Sequence, residues 1–226
     1  MLFSVARYSL ALAAGFALLT ACHTSTDKTP NASPVSADPK VARLKVPDGF
    51  TAEHLFGPSA HDEGSWVSMT FDNKGRLIAS DQYGALYRMV IPPIGDTVSK
   101  IQVEELTIPS LDNKADTGAK KIEIGYAHGL LYAFNSLYVM INHNSDAAFS
   151  KGSGLYRLQD TDGDDRYDKI TLLKKLEGEG EHGPHSIVLS PDKKSLFVMP
   201  VISPSYRQWI AEESRSTAGS IISIPC

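Results

Sequence analysis

Cysteine is nearly absent from this sequence: the two present, Cys22 and Cys226, exclude a disulfide scaffold and a zinc ribbon. No Cys-x-x-Cys-His occurs, so a covalently attached c-type haem is excluded within the chain. Excess positive charge is missing too. Lys+Arg number 22 against 26 Asp+Glu, a net charge of -4, whereas a nucleic-acid binder needs a basic face for the phosphates. No nucleic-acid partner is expected. Helical periodicity is also scarce. After residue 41 no window sustains it over several turns, except weakly from Tyr206 to Ser214. What is there is a chain of 226 residues, 42% hydrophobic and 21% charged, enough to bury a core.

The front of the chain predicts export. Arg7 supplies a positive start, and Ser9 to Ala21 is an apolar run, too short and too rich in small residues to span a bilayer comfortably. It closes on Leu19-Thr20-Ala21-Cys22, which resembles the lipobox of bacterial lipoproteins. That resemblance implies a signal peptide over 1–21, cleavage before Cys22 and lipidation of Cys22. The product would be tethered to the cell envelope, facing the periplasm or on the outer membrane, with the membrane as partner through the lipid. Several acyl chains anchor stably because each buried methylene adds about 0.8 kcal/mol. Loss of 1–21 removes Arg7 and leaves 21 Lys+Arg against 26 Asp+Glu, a net charge of -5. An ordinary secretory signal followed by a chance cysteine is the alternative.

Residues 22–40 are rich in Ser, Thr, Pro and Asp with little to bury, so a disordered tether is expected there. From Val41 the pattern becomes strand-like. Short β-rich runs are broken by Asn73-Lys74-Gly75, Tyr83-Gly84, Pro92-Pro93, Asn135-Ser136 and Pro191-Asp192-Lys193-Lys194. A strand–turn–strand phrase then recurs over 67–80, 127–140 and 184–199. Met69, Leu130 and Ile187 match, 61 and 57 residues apart. The first two units continue into Gly84-Ala85-Leu86-Tyr87-Arg88 and Gly154-Leu155-Tyr156-Arg157-Leu158. Such a period predicts an all-β fold, a β-propeller with about three blades over 41–200. A β-sandwich with accidental self-similarity is the competing reading.

The phrases Gly64-Ser65-Trp66-Val67-Ser68-Met69-Thr70-Phe71-Asp72 and Gly75-Arg76-Leu77-Ile78-Ala79-Ser80-Asp81-Gln82 are similar to the opening blade of glucose/sorbosone dehydrogenase-like propellers. His128-Gly129-Leu130-Leu131 and Glu181-His182-Gly183-Pro184-His185 carry the same likeness, over roughly residues 44–200. The nearest look is of the large exported proteins, common in planctomycetes, that join such a propeller to haem-binding domains. The resemblance implies a six-bladed propeller and oxidation of a sugar or alcohol. It further implies pyrroloquinoline quinone and calcium as cofactors, and a cytochrome-type electron acceptor. It also implies that His128 is the general base and His185 a second tunnel-facing group, neutral imidazole being matched to that task. The alternative has both histidines hydrogen-bonding backbone at the blade mouths. Trp66, which could stack on a sugar or cofactor ring or pack between blades, and His182 are the cofactor-binding candidates. A metal pair of His182 and His185 has no evident third ligand.

The run Asp160-Thr161-Asp162-Gly163-Asp164-Asp165-Arg166-Tyr167-Asp168 predicts a calcium loop, with the carboxylates of Asp160, Asp162, Asp164 and Asp168 and the carbonyl of Arg166 as ligands. It departs from a helix–loop–helix calcium hand in having Asp165 where Gly is usual and Thr171 where a bidentate Glu is usual. Asp tolerates the left-handed conformation that position needs. Strand-like flanks make it a hairpin loop with a structural role, and an acidic solvated turn is the alternative. Two function classes stay open, a quinoprotein-type oxidoreductase and a non-catalytic, calcium-stabilised binding propeller at the cell surface. Residues 201–226 break the repeat and are expected to be an atypical tail, so the chain is expected to be an incomplete propeller, or else one that closes by self-association.

Overall fold

The computed structural model describes residues 38–93, 101–108, 124–144, 151–178, 180, 183–200 and 222–225. Cys22, His182 and the tail up to residue 221 lie outside the described residues. The described part is all-β. A first antiparallel sheet holds β1 (Trp66–Phe71), β2 (Leu77–Asp81), β3 (Leu86–Met89) and β4 (Val103–Glu105) in chain order. A second holds β5 (Ala127–Ala133), β6 (Ser136–Ile141), β7 (Gly154–Gln159) and β8 (Lys169–Lys175), again in chain order. The third holds β9 (Pro184–Leu189), β10 (Ser195–Pro200) and β11 (Ile222–Pro225). No sheet closes on itself. Outside the strands the described residues include the 3-10 turns Val41–Arg43 and Pro58–His61, and no helix among them is long and apolar enough to cross a membrane.

Local chemistry sets the hairpins. Ala133 pairs with Ser136, and the intervening Phe134 and Asn135 have φ of 51° and 49°. Positive φ at both central residues gives the tight turn whose twist matches its strands. Between β1 and β2, Gly75 takes φ 75°, and Asp72 Oδ1 accepts from the backbone N–H groups of Lys74 and Arg76 at 2.9 Å each.

Period-2 alternation then builds the core. β6 is buried along its whole length. Leu137, Val139 and Ile141 pack with Ile78 and Leu86 of the first sheet, while Tyr138 and Met140 pack with Ile187, Leu196 and Val198 of the third. The second sheet is therefore sandwiched between the other two, with β1 against β5 and β5 against β9.

Each of these three strands carries a one-residue bulge at the same place, at Val67, His128 and His185. Met69, Leu130 and Ile187 each stand two residues beyond the bulged residue, so the sequence repeat is also a structural repeat. Two strands were not anticipated. β4 supplies a fourth strand to the first sheet, and the tail expected to be atypical supplies β11, with Leu196 opposite Ile224. The alternating Ile222-Ser223-Ile224 suits a strand, though the preceding small polar run obscures it. Up-and-down connections place the starts of β1, β5 and β9 and the ends of β2, β6 and β10 at one edge, the upper edge. The β1–β2, β5–β6 and β9–β10 turns and the β7–β8 loop share the lower edge.

Candidate functional site

At the upper edge the bulges re-aim His128 and His185, as an extra residue in one strand does. Their ring centroids are 5.2 Å apart. Asn142, fully buried just after β6, lies between them. Its Nδ2 is 3.1 Å from His128 Nδ1 and 3.3 Å from His185 Nε2, and donates to the Gly180 carbonyl at 2.5 Å. The Asn142 backbone N–H donates to the Tyr126 carbonyl at 2.9 Å, which fixes the residue to the start of β5. A Cβ on Gly183 would collide with the Asn142 amide oxygen, and one on Gly129 with the His185 carbonyl. The glycines of His128-Gly129 and Gly183-Pro184-His185 are thus steric requirements of this junction.

Three acceptors compete for one amide group. An –NH2 offers only two N–H donors, so with Gly180, His128 Nδ1 and His185 Nε2 all in reach, one imidazole nitrogen keeps its lone pair. The shorter approach assigns the second N–H to His128 Nδ1. If that N–H serves His128 Nδ1, the His128 proton sits on Nε2, a buried atom with the Gln82 carbonyl as its nearest acceptor, and His185 Nε2 is left as acceptor. The His128 pKa is pushed down, first by burial and then by His185, with the Gln82 carbonyl opposing. A neutral N–H donor and a free imidazole acceptor suit a hydroxyl-bearing molecule, whose oxygen accepts from one while its proton passes to the other.

Trp66, at the start of β1 on the same edge, stacks on other rings. Its ring stacks between Phe56 and Tyr87, at 5.3 and 5.6 Å, so it packs the N-terminal segment onto the first sheet. Sequence reasoning missed Asn142, a single polar residue after an apolar strand with no motif around it. It also missed Tyr126, which stacks on His143 at 4.0 Å and meets Tyr83 edge-on at 5.4 Å.

The lower edge carries the acidic loop. Ligand oxygens of Asp160, Asp162 and Asp164 lie within 4.8 Å of one another, with Asp160 half-buried and the other two exposed. Such a hard-oxygen set fits calcium. Asp168 accepts from Thr161 N at 2.9 Å and Thr161 Oγ1 at 2.5 Å, while the Arg166 N–H donates to Asp164 Oδ1 at 2.9 Å. Asp165 takes φ 73°, the left-handed conformation expected at its position. Its carboxylate has a use the sequence did not reveal. Arg76 grips it bidentately at 2.5 and 2.7 Å, and Lys74 reaches it at 2.9 Å. Arg76 also binds Asp72 at 2.7 Å, and Arg88 bridges Asp165 and Glu104. The Arg76 guanidinium holds the Asp165 carboxyl well below the usual carboxylate range. Asp72, Lys74, Arg76, Arg88 and Asp165, with Tyr132 and Tyr167, line a cleft of about 280 Å³, and these five charged side chains are mutually paired. It is a clamp between the first and second sheets.

No family model matches the chain, and no curated protein is significantly similar to it.

Proposed function

We propose that this chain is an exported, lipid-anchored β-propeller domain of the glucose/sorbosone dehydrogenase-like kind, acting on a hydroxyl of a sugar or alcohol at the upper edge. One observation carries this reading: Asn142 cannot saturate both imidazoles and the Gly180 carbonyl, so one half-buried imidazole nitrogen is left without its N–H beside the buried Nε2 of His128. In this reading His128 orients the hydroxyl oxygen and His185 takes its proton, so the base role expected of His128 is shared between the two. Lipidation of Cys22 would hold the domain at the envelope. Asp160, Asp162 and Asp164 would hold calcium, which supplies charge balance to the loop next to the Asp165 clamp and has a structural role.

Pyrroloquinoline quinone belongs to the resemblance, but among the described residues the side chains at His128 do not make a cradle for it. That quinone carries several carboxylates, whereas His128 meets His185, the Asn142 amide and the Gln82 carbonyl, none of them a fixed cation. The hydride that leaves the carbinol carbon as the hydroxyl proton is taken would therefore pass to a separate electron acceptor, supplied in the test as the dye, and not to a residue described at this edge.

A second reading, a non-catalytic binding propeller, is favoured by the way the Asn142 amide sits within reach of both rings and of the Gly180 carbonyl, as a structural lock would. The experiment that separates them measures dye reduction by the full chain with calcium, with and without pyrroloquinoline quinone, across a panel of aldoses and simple alcohols. Turnover that disappears in His185→Gln and His128→Gln at unchanged melting temperature supports oxidation. Silence with every substrate from a protein with a folded circular-dichroism spectrum supports the binder.

A further inference from the structure

The repeat gives each sheet a back face, toward the preceding sheet, and a forward face, toward the next. On the back faces Leu130 and Ile187 are buried at 7% and 8% exposure, yet Met69 at the equivalent position is 70% exposed. Phe71, two residues on, is exposed as well, while its counterparts Tyr132 and Leu189 pack against the cores. On the forward faces Met140 is fully buried against the third sheet, whereas its counterpart Met199 is 49% exposed, with Val188 bare beside it. Direction is fixed by contacts. The Thr70 hydroxyl accepts from Tyr132 N and Ser80 Oγ donates to the Ala127 carbonyl, so their neighbours Met69 and Phe71 face away from the second sheet.

We infer that the forward face of the third sheet packs on the back face of the first sheet in a second copy of this chain, in the register that joins consecutive sheets within one copy. The occupant follows from continuity with the internal junctions. A forward face bearing a methionine at the Met140 position already packs on a back face bearing an apolar residue at the Ile187 position. Met199 and Met69 repeat those two positions on the two uncovered faces. Exposed apolar surface of this kind is stabilised by burial. Joining unlike faces makes the contact head-to-tail, so Met199 of one copy meets Met69 of the next and like faces never meet. The inference stands on sheet geometry alone and is independent of the chemistry at His128.

Two differently tagged full chains, both carrying Cys226→Ser, one with Met69→Cys and the other with Met199→Cys, are co-expressed, extracted in mild detergent and oxidised. The expected product is a disulfide-linked species containing one chain of each kind, absent when either variant is expressed alone and absent from the Cys226→Ser parent. Light scattering of the extracted parent should give a mass of at least two chains, and Met69→Asp should reduce it to one. Because Met69 is exposed, that variant should retain the parent's circular-dichroism spectrum. A monomeric parent at micromolar concentration would overturn the inference, and so would a Met69-to-Met69 link in place of the mixed one.

Discussion

The two edges of the sheets are chemical opposites. At the lower edge charge is abundant and, around Asp165, answered: Arg76, Arg88 and Lys74 converge on Asp165, and Arg76 is also held by Asp72. At the upper edge two half-buried imidazoles flank the fully buried Asn142, and one acceptor more is in reach than its amide can serve. A saturated ion network fixes geometry, because every donor already has its acceptor. A half-buried pair of imidazoles with an acceptor that the Asn142 amide does not serve has capacity left for a ligand. The edge with more charge is thus the structural one, and the edge with less is where chemistry is proposed.

The largest effect that would sharpen this contrast is on turnover. His185→Gln should lower the rate by about 10²–10⁴-fold, the usual contribution of a positioned base, with little change in melting temperature. An equal loss of stability would make the upper edge structural instead.

Next comes the clamp. Arg76→Ala leaves Asp165 without its bidentate partner and should cost about 1–3 kcal/mol in urea unfolding, nearer the low end because the Asp165 side chain is 35% exposed. Activity per folded molecule should be unchanged.

Smaller again is the pH dependence, which should divide by edge. Asp165 has a depressed folded pKa, so its contribution is complete above the ordinary carboxylate value of about 3.9 and is lost as pH falls through the folded value. His128 is also depressed, so the unfolded chain binds more protons below about 6.5 and stability declines as pH falls from there toward the folded value. Arg76→Ala should flatten the acid limb, and His128→Gln the one nearer neutrality, in melting temperatures recorded across pH.

The smallest effect is that of calcium. Binding to the folded form alone should raise the melting temperature by a few degrees through mass action, and Asp162→Ala with Asp164→Ala should abolish the rise. A parent whose midpoint ignores both calcium and chelator would remove the ion from the lower edge.

Much of this was legible locally. The strand–turn–strand phrases around Met69, Leu130 and Ile187 became equivalent strands because alternation and turn residues are properties of neighbours in sequence. The tolerance of Asp165 for left-handed backbone was likewise readable from its residue type. The clamp was not, because Arg76 and Asp165 are 89 residues apart and meet only when two sheets pack. Asn142 escaped for the same reason: its partners His128, Gly180 and His185 come from three separate stretches of chain. The bulges that aim both histidines are register shifts between paired strands, and a single strand's sequence does not display them.

The central claim is that His128 is a neutral imidazole with its proton on Nε2, held through Nδ1 by Asn142. Nitrogen and carbon NMR shifts of the histidine rings, with His128 assigned by its disappearance in His128→Gln, measure both properties in one pH titration. The predicted result is the Nε2–H tautomer at neutral pH and a midpoint below about 6.5, the ordinary histidine value. A midpoint at or above that value, or a proton resident on Nδ1, would contradict the account.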